Sequence, residues 1–194
     1  MCEQPRRDLA DQEIWVHEIN EQTAVQFREH VIEVYRRTPD FQPIIVYIDS
    51  QGGTADAMAM MIETLDCIDR PVFTVCLGRA FSAGAIILSH GDQRWCGKHS
   101  RVMVHEMLAG TEGNINDIKS DASEMTRLNR YWMNILAENC KIKDGYKGFK
   151  KLLRDYDGRD VYLNAQQAVK FGIVDHIGIP VIEVVTTTNV RTFK

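Results

Sequence analysis

One serine lies among small residues in the segment GRAFSAGA, residues 78–85, and has the chemistry of a nucleophile. The segment follows an apolar run that is typical of a buried strand, so Ser82 stands where a helix begins. Serine is also a preferred residue at helix starts, where its hydroxyl accepts a backbone N–H. A nucleophilic serine needs a base and two backbone donors for the carbonyl oxygen that becomes negative. The segment alone does not decide between these roles, so the partners of Ser82 must come from the rest of the chain.

Candidates for the donors and for the base lie on either side of this segment. The sequence SQGG, residues 50–53, ends in two glycines that let the backbone approach a ligand and point N–H groups at it. His105 ends the run RVMVH and would lie beside Ser82 if the two preceding strands are neighbours. His90 is eight residues further along the Ser82 helix, roughly 12 Å away at ~1.5 Å per residue, too far for direct proton transfer. The other histidines fit surface or packing roles; they are His17, His30, His99 and His176.

A third group is needed to orient the histidine, and the acidic segment RDYDGRD offers Asp155, Asp157 and Asp160. Spacing does not choose among these three. Aspartate and glycine also favour turns, so an alternative is that these are turn residues that never meet the serine and the histidine. A triad is recognised by its geometry rather than by sequence order, and both interpretations stay open at this point.

The elements that would position these groups alternate along the chain. Apolar runs at residues 14–19, 43–49, 71–78 and 101–107 are typical of strands, and residues 23–37, 55–68 and 82–91 have helical spacing. This alternation predicts a single α/β domain over residues 1–194 with a mostly parallel sheet. In such sheets, binding and catalytic sites gather at the carboxyl ends of the strands. Within this domain, residues 1–12 are expected to be a short flexible segment, and residues 183–194 a C-terminal tail that is either an edge strand or disordered.

Apolar residues recur every three or four positions from about 115 to 140, with charged residues between them, which predicts a long amphipathic helix. The apolar positions are Ile115, Ile118, Ala122, Met125, Leu128, Trp132, Ile135 and Leu136. Such a helix either caps the sheet or packs against another subunit. Its length favours packing between subunits.

Composition excludes several classes of function. The chain has 44% hydrophobic and 26% charged residues and a formal net charge of −4, with no basic patch for nucleic acid. No apolar run is long enough for a membrane span, and the start lacks a signal-peptide core, so we expect a cytoplasmic protein. The five cysteines are scattered and suit reduced thiols. CGKH, residues 96–99, lacks a second Cys/His pair at ligand spacing, so no metal site is expected.

Four motifs in order resemble the proteolytic subunit of the Clp protease, a serine peptidase family. These are YIDSQGG, GRAFSAGA, SRVMVHEMLAG and GRDVYLNAQQAVKFGIVD, and the resemblance runs from about Trp15 to Ile177. It implies a ClpP/crotonase-like fold of repeated ββα units with a mostly parallel sheet and a long projecting handle helix. It further implies that Ser82 is the nucleophile, His105 the general base and Asp160 the group that orients the histidine, and that no metal or organic cofactor is required.

The same resemblance implies roles for the neighbouring residues. Gly53 and Ala83 would supply the two N–H groups of an oxyanion hole, and Gly52, Phe81 and Met107 would contact the substrate. The sequence departs from the family pattern at SQGG, where SPGG is usual, at HEM, where HQP is usual, and at Phe81, where a small residue is usual.

The resemblance also implies an assembly. Heptameric rings would pack face to face through the handle helix, giving a tetradecamer whose chamber admits unfolded polypeptides and releases short peptides. The segment before the first strand is shorter than the family's axial loops require, which argues against docking of the family's AAA+ unfoldase. A compact variant, of the kind that a phage or another mobile genome encodes, is consistent with this shortening.

Two alternatives come from other functional classes. A crotonase-like acyl-CoA enzyme has the same kind of sheet and paired backbone donors, but it needs no serine, histidine and aspartate at these motif positions. A non-catalytic scaffold that forms rings would keep the fold and the long helix without an aligned site.

Overall fold

Strands and helices alternate in the computed structural model, which describes residues 13–140, 142–156 and 160–181. The N-terminal segment that we expected to be flexible, 1–12, and the C-terminal tail from 183 lie outside the described residues. Seven strands are described: β1 Ile14–Val16, β2 Ile44–Ser50, β3 Val72–Phe81, β4 Gln93–Cys96, β5 Arg101–His105, β6 Asp160–Asn164 and β7 His176–Ile177. Six helices are described: α1 Glu21–Arg37, α2 Ala55–Asp66, α3 Ala83–Ser89, α4 Ile115–Asn139, α5 Gly145–Asp155 and α6 Ala165–Lys170.

The strands form one sheet in the order β1-β2-β3-β4-β7, and it divides at β3. The first part of β3 pairs with β4, whereas its last three residues pair with β5. Every strand pair is parallel except β5 with β6, which is antiparallel. The prediction of an α/β fold with a mostly parallel sheet is confirmed.

Burial alternates along β2, so one face of the sheet is covered more fully than the other. Ile44, Val46 and Ile48 are buried, and the residues between them are only half-buried. Helix α3 is buried over its whole length, as its run of small and aliphatic residues predicts. Half-buried and exposed aromatic side chains on the strands form two groups: the rings of His17 and Tyr47 stack on Trp15, and the rings of Phe73 and His176 lie tilted against Trp95.

Helix α4 is the long helix that the sequence predicts, and it has 25 residues. Its buried residues all lie towards its C-terminal end, and these are Trp132, Met133, Leu136 and Ala137. Trp132 therefore packs in the core of its own subunit rather than on an outward apolar stripe. The beginning of the stripe does face outwards, since Ile115 is 70% exposed and Ile118 is 38% exposed.

Three elements were not anticipated from the sequence: β4, α5 and β6. A bidentate ion pair anchors the short strand β4, because Arg94 donates from Nη2 to Asp175 at 2.7 Å and from Nε at 2.9 Å. Arg94 also donates to the carbonyl of Asn139 at the end of α4. None of the helices in the described ranges is both long and apolar enough to cross a membrane.

Candidate active site

Ser82 lies at the junction between β3 and α3 in a backbone conformation that side chains rarely adopt. Its φ is 53° and its ψ is −121°. Its N–H donates to the carbonyl of Met103 at 2.9 Å, and its own carbonyl accepts from Ala85 at 2.9 Å. Ser82 occupies the N-cap position, yet its side chain makes no capping hydrogen bond. A strained turn of this kind presents the hydroxyl away from the backbone, which is also the geometry of strand-to-helix turns that carry a nucleophile.

His105 meets that hydroxyl because β5 lies beside the end of β3. The two strands are parallel, with Phe81 opposite Met103, so their carboxyl ends lie at the same edge of the sheet. Nε2 of His105 is 2.7 Å from Oγ of Ser82. The histidine side chain is only 9% exposed, so few rotamers are open to it. The expectation that the two strands are neighbours is confirmed.

Asp160 lies on the other side of the imidazole because β6 runs antiparallel to β5. The register places Asp160 directly opposite His105. Its Oδ1 is 3.5 Å from Nδ1 of the histidine, and its side chain is 48% exposed. Of the other two aspartates in the acidic segment, Asp155 ends α5 and Asp157 lies outside the described residues.

The two glycines of SQGG lie so close to their neighbours that a side chain would not fit. A Cβ on Gly52 would lie 2.8 Å from Cβ of Ser82 and 3.3 Å from the backbone nitrogen of Ala83. A Cβ on Gly53 would lie 1.9 Å from the carbonyl oxygen of Ile19. Gly52 also has a φ of 102°, which favours glycine. The glycine loop therefore packs directly against the serine turn.

A cleft of about 1340 Å³ opens over these groups. It is lined by Ser82, His105 and Asp160, by Gly53 and Ala83, and by Met107. Apolar side chains form much of its remaining wall; they are Met58, Ile86, Trp132, Met133, Leu136 and Leu153. A cleft with apolar walls and a few convergent polar groups suits an extended peptide segment.

Two of the residues that we expected to contact substrate are not part of the cleft wall, although Gly52 lies directly against Ser82. Gly52 and Phe81 are not among the described residues that line the cleft. The ring of Phe81 packs edge-on against Tyr162, with 5.5 Å between centroids, and the guanidinium of Arg101 lies over it at 5.7 Å. The large residue before the serine therefore packs on neighbouring strands.

Glu106, which follows His105 directly, was not singled out in the sequence analysis. Oε1 of Glu106 accepts from the hydroxyl of Tyr146 at 2.6 Å and from Nδ2 of Asn129 at 3.0 Å. These hydrogen bonds, the Tyr146 bond first, hold the pKa of Glu106 below its usual range. Asn129 also accepts from the N–H of Met107 at 2.9 Å. The segment after the histidine is thus tied to α4 and α5, and only the folded chain brings these residues together.

His90 forms a second histidine–carboxylate pair, with Nε2 2.6 Å from Oδ1 of Asp66. It lies at the C-terminal end of α3, whereas Ser82 lies at the N-terminal end. The described part of the chain holds no group of three or more His, Cys, Asp or Glu side chains placed to share a metal ion.

Comparison with known proteins identifies the family of the chain. The family model described as Clp protease matches residues 7–180. The chain is 36% identical over 136 residues to the ATP-dependent Clp protease proteolytic subunit 1 of Rhodopirellula baltica. That match covers 69% of this chain and 57% of the relative, so the chain spans little more than half the length of the protein it matches. The chain belongs to the Clp protease family.

Proposed function

We propose that this chain is the proteolytic subunit of a Clp-type serine endopeptidase. The observation that carries the proposal is the distance of 2.7 Å between Oγ of Ser82 and Nε2 of His105, with Asp160 on the far side of the same ring. A hydroxyl within hydrogen-bond reach of an oriented base is the arrangement that nucleophilic catalysis requires.

The first half of the reaction forms an acyl-enzyme. Nε2 of His105 takes the hydroxyl proton while Oγ of Ser82 attacks the carbonyl carbon of the peptide. Asp160 favours the tautomer with the proton on Nδ1 and stabilises the imidazolium that results. The backbone N–H groups of Gly53 and Ala83 donate to the carbonyl oxygen as it becomes negative. His105 then gives its proton to the leaving amine, and the C–N bond breaks.

The second half releases the acyl group by hydrolysis. A water molecule enters where the amine has left, and Nε2 of His105 takes one of its protons as the oxygen attacks the ester carbonyl. The second tetrahedral intermediate uses the same two backbone donors. Its collapse returns the proton to Oγ of Ser82 and frees a peptide with a new carboxyl end.

Unfolded polypeptides are the proposed substrates. The cleft is about 1340 Å³ and has apolar walls, which suits side chains that a folded protein keeps buried. An extended segment could reach the serine, whereas a folded domain could not follow the chain into the cleft. Short peptides are the expected products.

The proposed assembly is a ring of seven subunits, stacked in pairs through α4. Clp proteases form oligomeric rings and work with unfoldases. The side chains of Ile115 and Ile118 are exposed, so α4 presents apolar surface to water. Burial of this surface against a second subunit would be favourable. An AAA+ unfoldase is the further partner to test, by asking whether ATP and an unfoldase allow degradation of a folded protein.

Hydrolysis of an unstructured fluorescent protein substrate tests this function. We expect the purified chain to release short peptides, and we expect Ser82→Ala to lower the rate at least about 10³-fold because the nucleophile is gone. Ser89→Ala is the matched control, since Ser89 is a buried serine at the other end of α3 that donates to Ile86. Hydrolysis that persists in Ser82→Ala, in a preparation freed of host proteases, would contradict the proposal.

A further inference from the structure

Three polar side chains form a connected group beside the glycine loop, which we call the Asp49–Arg79–Gln51 clamp. Nε of Arg79 lies 3.5 Å from Oδ1 of Asp49. With the Gln51 amide oriented so that its oxygen faces the guanidinium, this oxygen accepts from Nη1 of Arg79 at 2.8 Å and from Nη2 at 3.3 Å. One guanidinium therefore joins a strand residue to the residue that begins the loop.

A local irregularity between β2 and β3 builds this group. Ile48 pairs with Cys76 but Ser50 pairs with Ala80, so β3 carries extra residues at this point. Gly78 lies within the irregularity with a φ of 100°, and a Cβ there would lie 2.8 Å from Oδ1 of Asp49. The carboxylate therefore occupies space that only a glycine leaves open.

The clamp acts on the loop that holds the proposed oxyanion donor. Gln51 is followed by Gly52 and Gly53, two residues that lose more backbone freedom on ordering than any others. The other side-chain bond to this turn is from the N–H of Gly52 to Oγ of Ser50 at 3.1 Å. Because Arg79 fixes the side chain of Gln51, it restricts the loop at that residue. The Clp protease pattern SPGG has a proline at this position.

We infer that Arg79 is a positioning residue that holds the Gln51–Gly53 loop, and with it the N–H of Gly53, at the place where the oxyanion forms. The inference rests on the proposed function for its catalytic consequence. Arg79 acts through Gln51, because Gln51 lines the cleft and Arg79 is not among the described residues that do. A small displacement of an oxyanion donor weakens transition-state binding more than it weakens substrate binding.

If Arg79 served only to stabilise the fold, its removal would lower the thermal midpoint. The side chains of Arg79 and Asp49 are each 40% exposed, and ion pairs so exposed contribute little to stability. Arg79→Ala should therefore leave the thermal midpoint almost unchanged while it slows the reaction. We expect kcat for a short fluorogenic peptide to fall about 10- to 100-fold, with KM changed less than about threefold.

Arg101→Ala is the matched control. Arg101 is the register partner of Arg79 on β5, and its guanidinium lies over the ring of Phe81. Its removal should leave kcat within about threefold of the parent. Arg79→Lys keeps the positive charge beside Asp49 but lacks the planar fork, so we expect it to restore little of the lost rate.

Replacing Gln51 with proline gives a second test, because proline fixes φ without a side-chain bond. In the Gln51→Pro background, Arg79→Ala should cost less than about threefold in kcat. Any of three results would overturn the inference. Arg79→Ala could lower kcat equally in the parent and in Gln51→Pro, it could lower kcat no more than Arg101→Ala does, or it could leave kcat unchanged.

Amide hydrogen exchange separates this inference from the proposed function. Arg79→Ala should speed exchange in the peptide that spans residues 50–54, and Arg101→Ala should not, whether or not the protein hydrolyses peptides. Unchanged exchange would show that Arg79 does not hold the loop even in an active enzyme. If Arg79→Ala speeds exchange but the protein never hydrolyses peptides, the inference that Arg79 holds the loop would stand and the proposed peptidase function would be wrong.

Discussion

Ser82 combines two properties that a helix-start serine does not need together. Its φ of 53° is unfavourable for a residue with a side chain, and its hydroxyl is 2.7 Å from His105 instead of capping α3. Such strain costs about 1 to 3 kcal/mol and persists only where surrounding contacts enforce it. Here those contacts are the hydrogen bond to Met103 and the close approach of Gly52. The strain is consistent with selection for a presented hydroxyl rather than for stability.

Removing the proposed base should abolish most of the activity. We expect His105→Ala to lower kcat for peptide hydrolysis at least about 10³-fold, because a serine without its base is a weak nucleophile. His90→Ala is a matched control, since His90 is also paired with a carboxylate but lies at the far end of α3. Equal rates for His105→Ala and the parent would remove the histidine from the proposed role.

The ion pair that anchors β4 should make stability depend on pH. Hydrogen bonds from Arg94 hold the pKa of Asp175 below its ordinary value of about 3.9. A lowered pKa in the folded state means that the pair stabilises the protein above about pH 4 and that this stabilisation is lost as the pH falls through the folded-state pKa.

Asp175→Asn tests this linkage by chemical denaturation at a series of pH values. At pH 7 the variant should lose about 2 kcal/mol of the free energy of unfolding, because the buried Arg94 loses charged acceptors. The difference from the parent should shrink as the pH is lowered from 5 towards 3. A difference that stays constant over that range would contradict the assignment.

Two elements bring the candidate site together at the scale of the sheet. The division of β3 between β4 and β5 places His105 beside Ser82, and the antiparallel strand β6 places Asp160 opposite His105. The glycine loop closes the site from the β2 side. Each part comes from a different strand end, so small shifts between strands would separate the groups.

A side chain in the glycine loop should disturb this arrangement. Gly52→Ala would place a Cβ 2.8 Å from Cβ of Ser82 and would force alanine to a φ of 102°. We expect kcat for peptide hydrolysis to fall about 10²-fold as the backbone donors move. Gly110→Ala is the control, because a Cβ there meets no atom of the described residues within 4 Å. A Gly52→Ala enzyme as active as Gly110→Ala would show that the close packing is not needed.

At the scale of the whole molecule, α4 leaves apolar surface uncovered in a single subunit. Its C-terminal end is buried in the core, but Ile115 and Ile118 are exposed, and Met125 and Leu128 are half-buried. This distribution fits a helix that is anchored at one end and covered by another subunit along the rest. The cleft lies against the buried end of α4, so the helix that carries these exposed apolar residues also lines the candidate site.

A charge on the outward stripe should dissociate the assembly. We expect Ile118→Glu to shift sedimentation velocity profiles from large oligomers to smaller species, because a carboxylate would be buried against an apolar surface. Ser120→Glu introduces the same group on the opposite side of the helix and should leave the profile unchanged. Identical sedimentation profiles for both variants and the parent would show that the exposed side of α4 does not pack against another subunit.

The sequence predicted the parts of the fold that depend on local periodicity. Apolar runs indicated β2, β3 and β5, and the carboxyl-end rule for parallel sheets placed His105 near Ser82. Local pattern did not choose among Asp155, Asp157 and Asp160, because the choice depends on the β5–β6 register. The sequence does not predict where the Phe81 side chain packs, because its contacts with Tyr162 and Arg101 come from other strands.

The central claim is that Ser82 is an activated nucleophile, and covalent labelling measures this most directly. The assembled protein would be treated with a fluorophosphonate, and the site of addition would be located by mass spectrometry of its peptides. The account predicts one adduct per subunit at Ser82, none in Ser82→Ala, and much slower labelling in His105→Ala than in His90→Ala. An assembled parent protein that carries no adduct at Ser82 would contradict it.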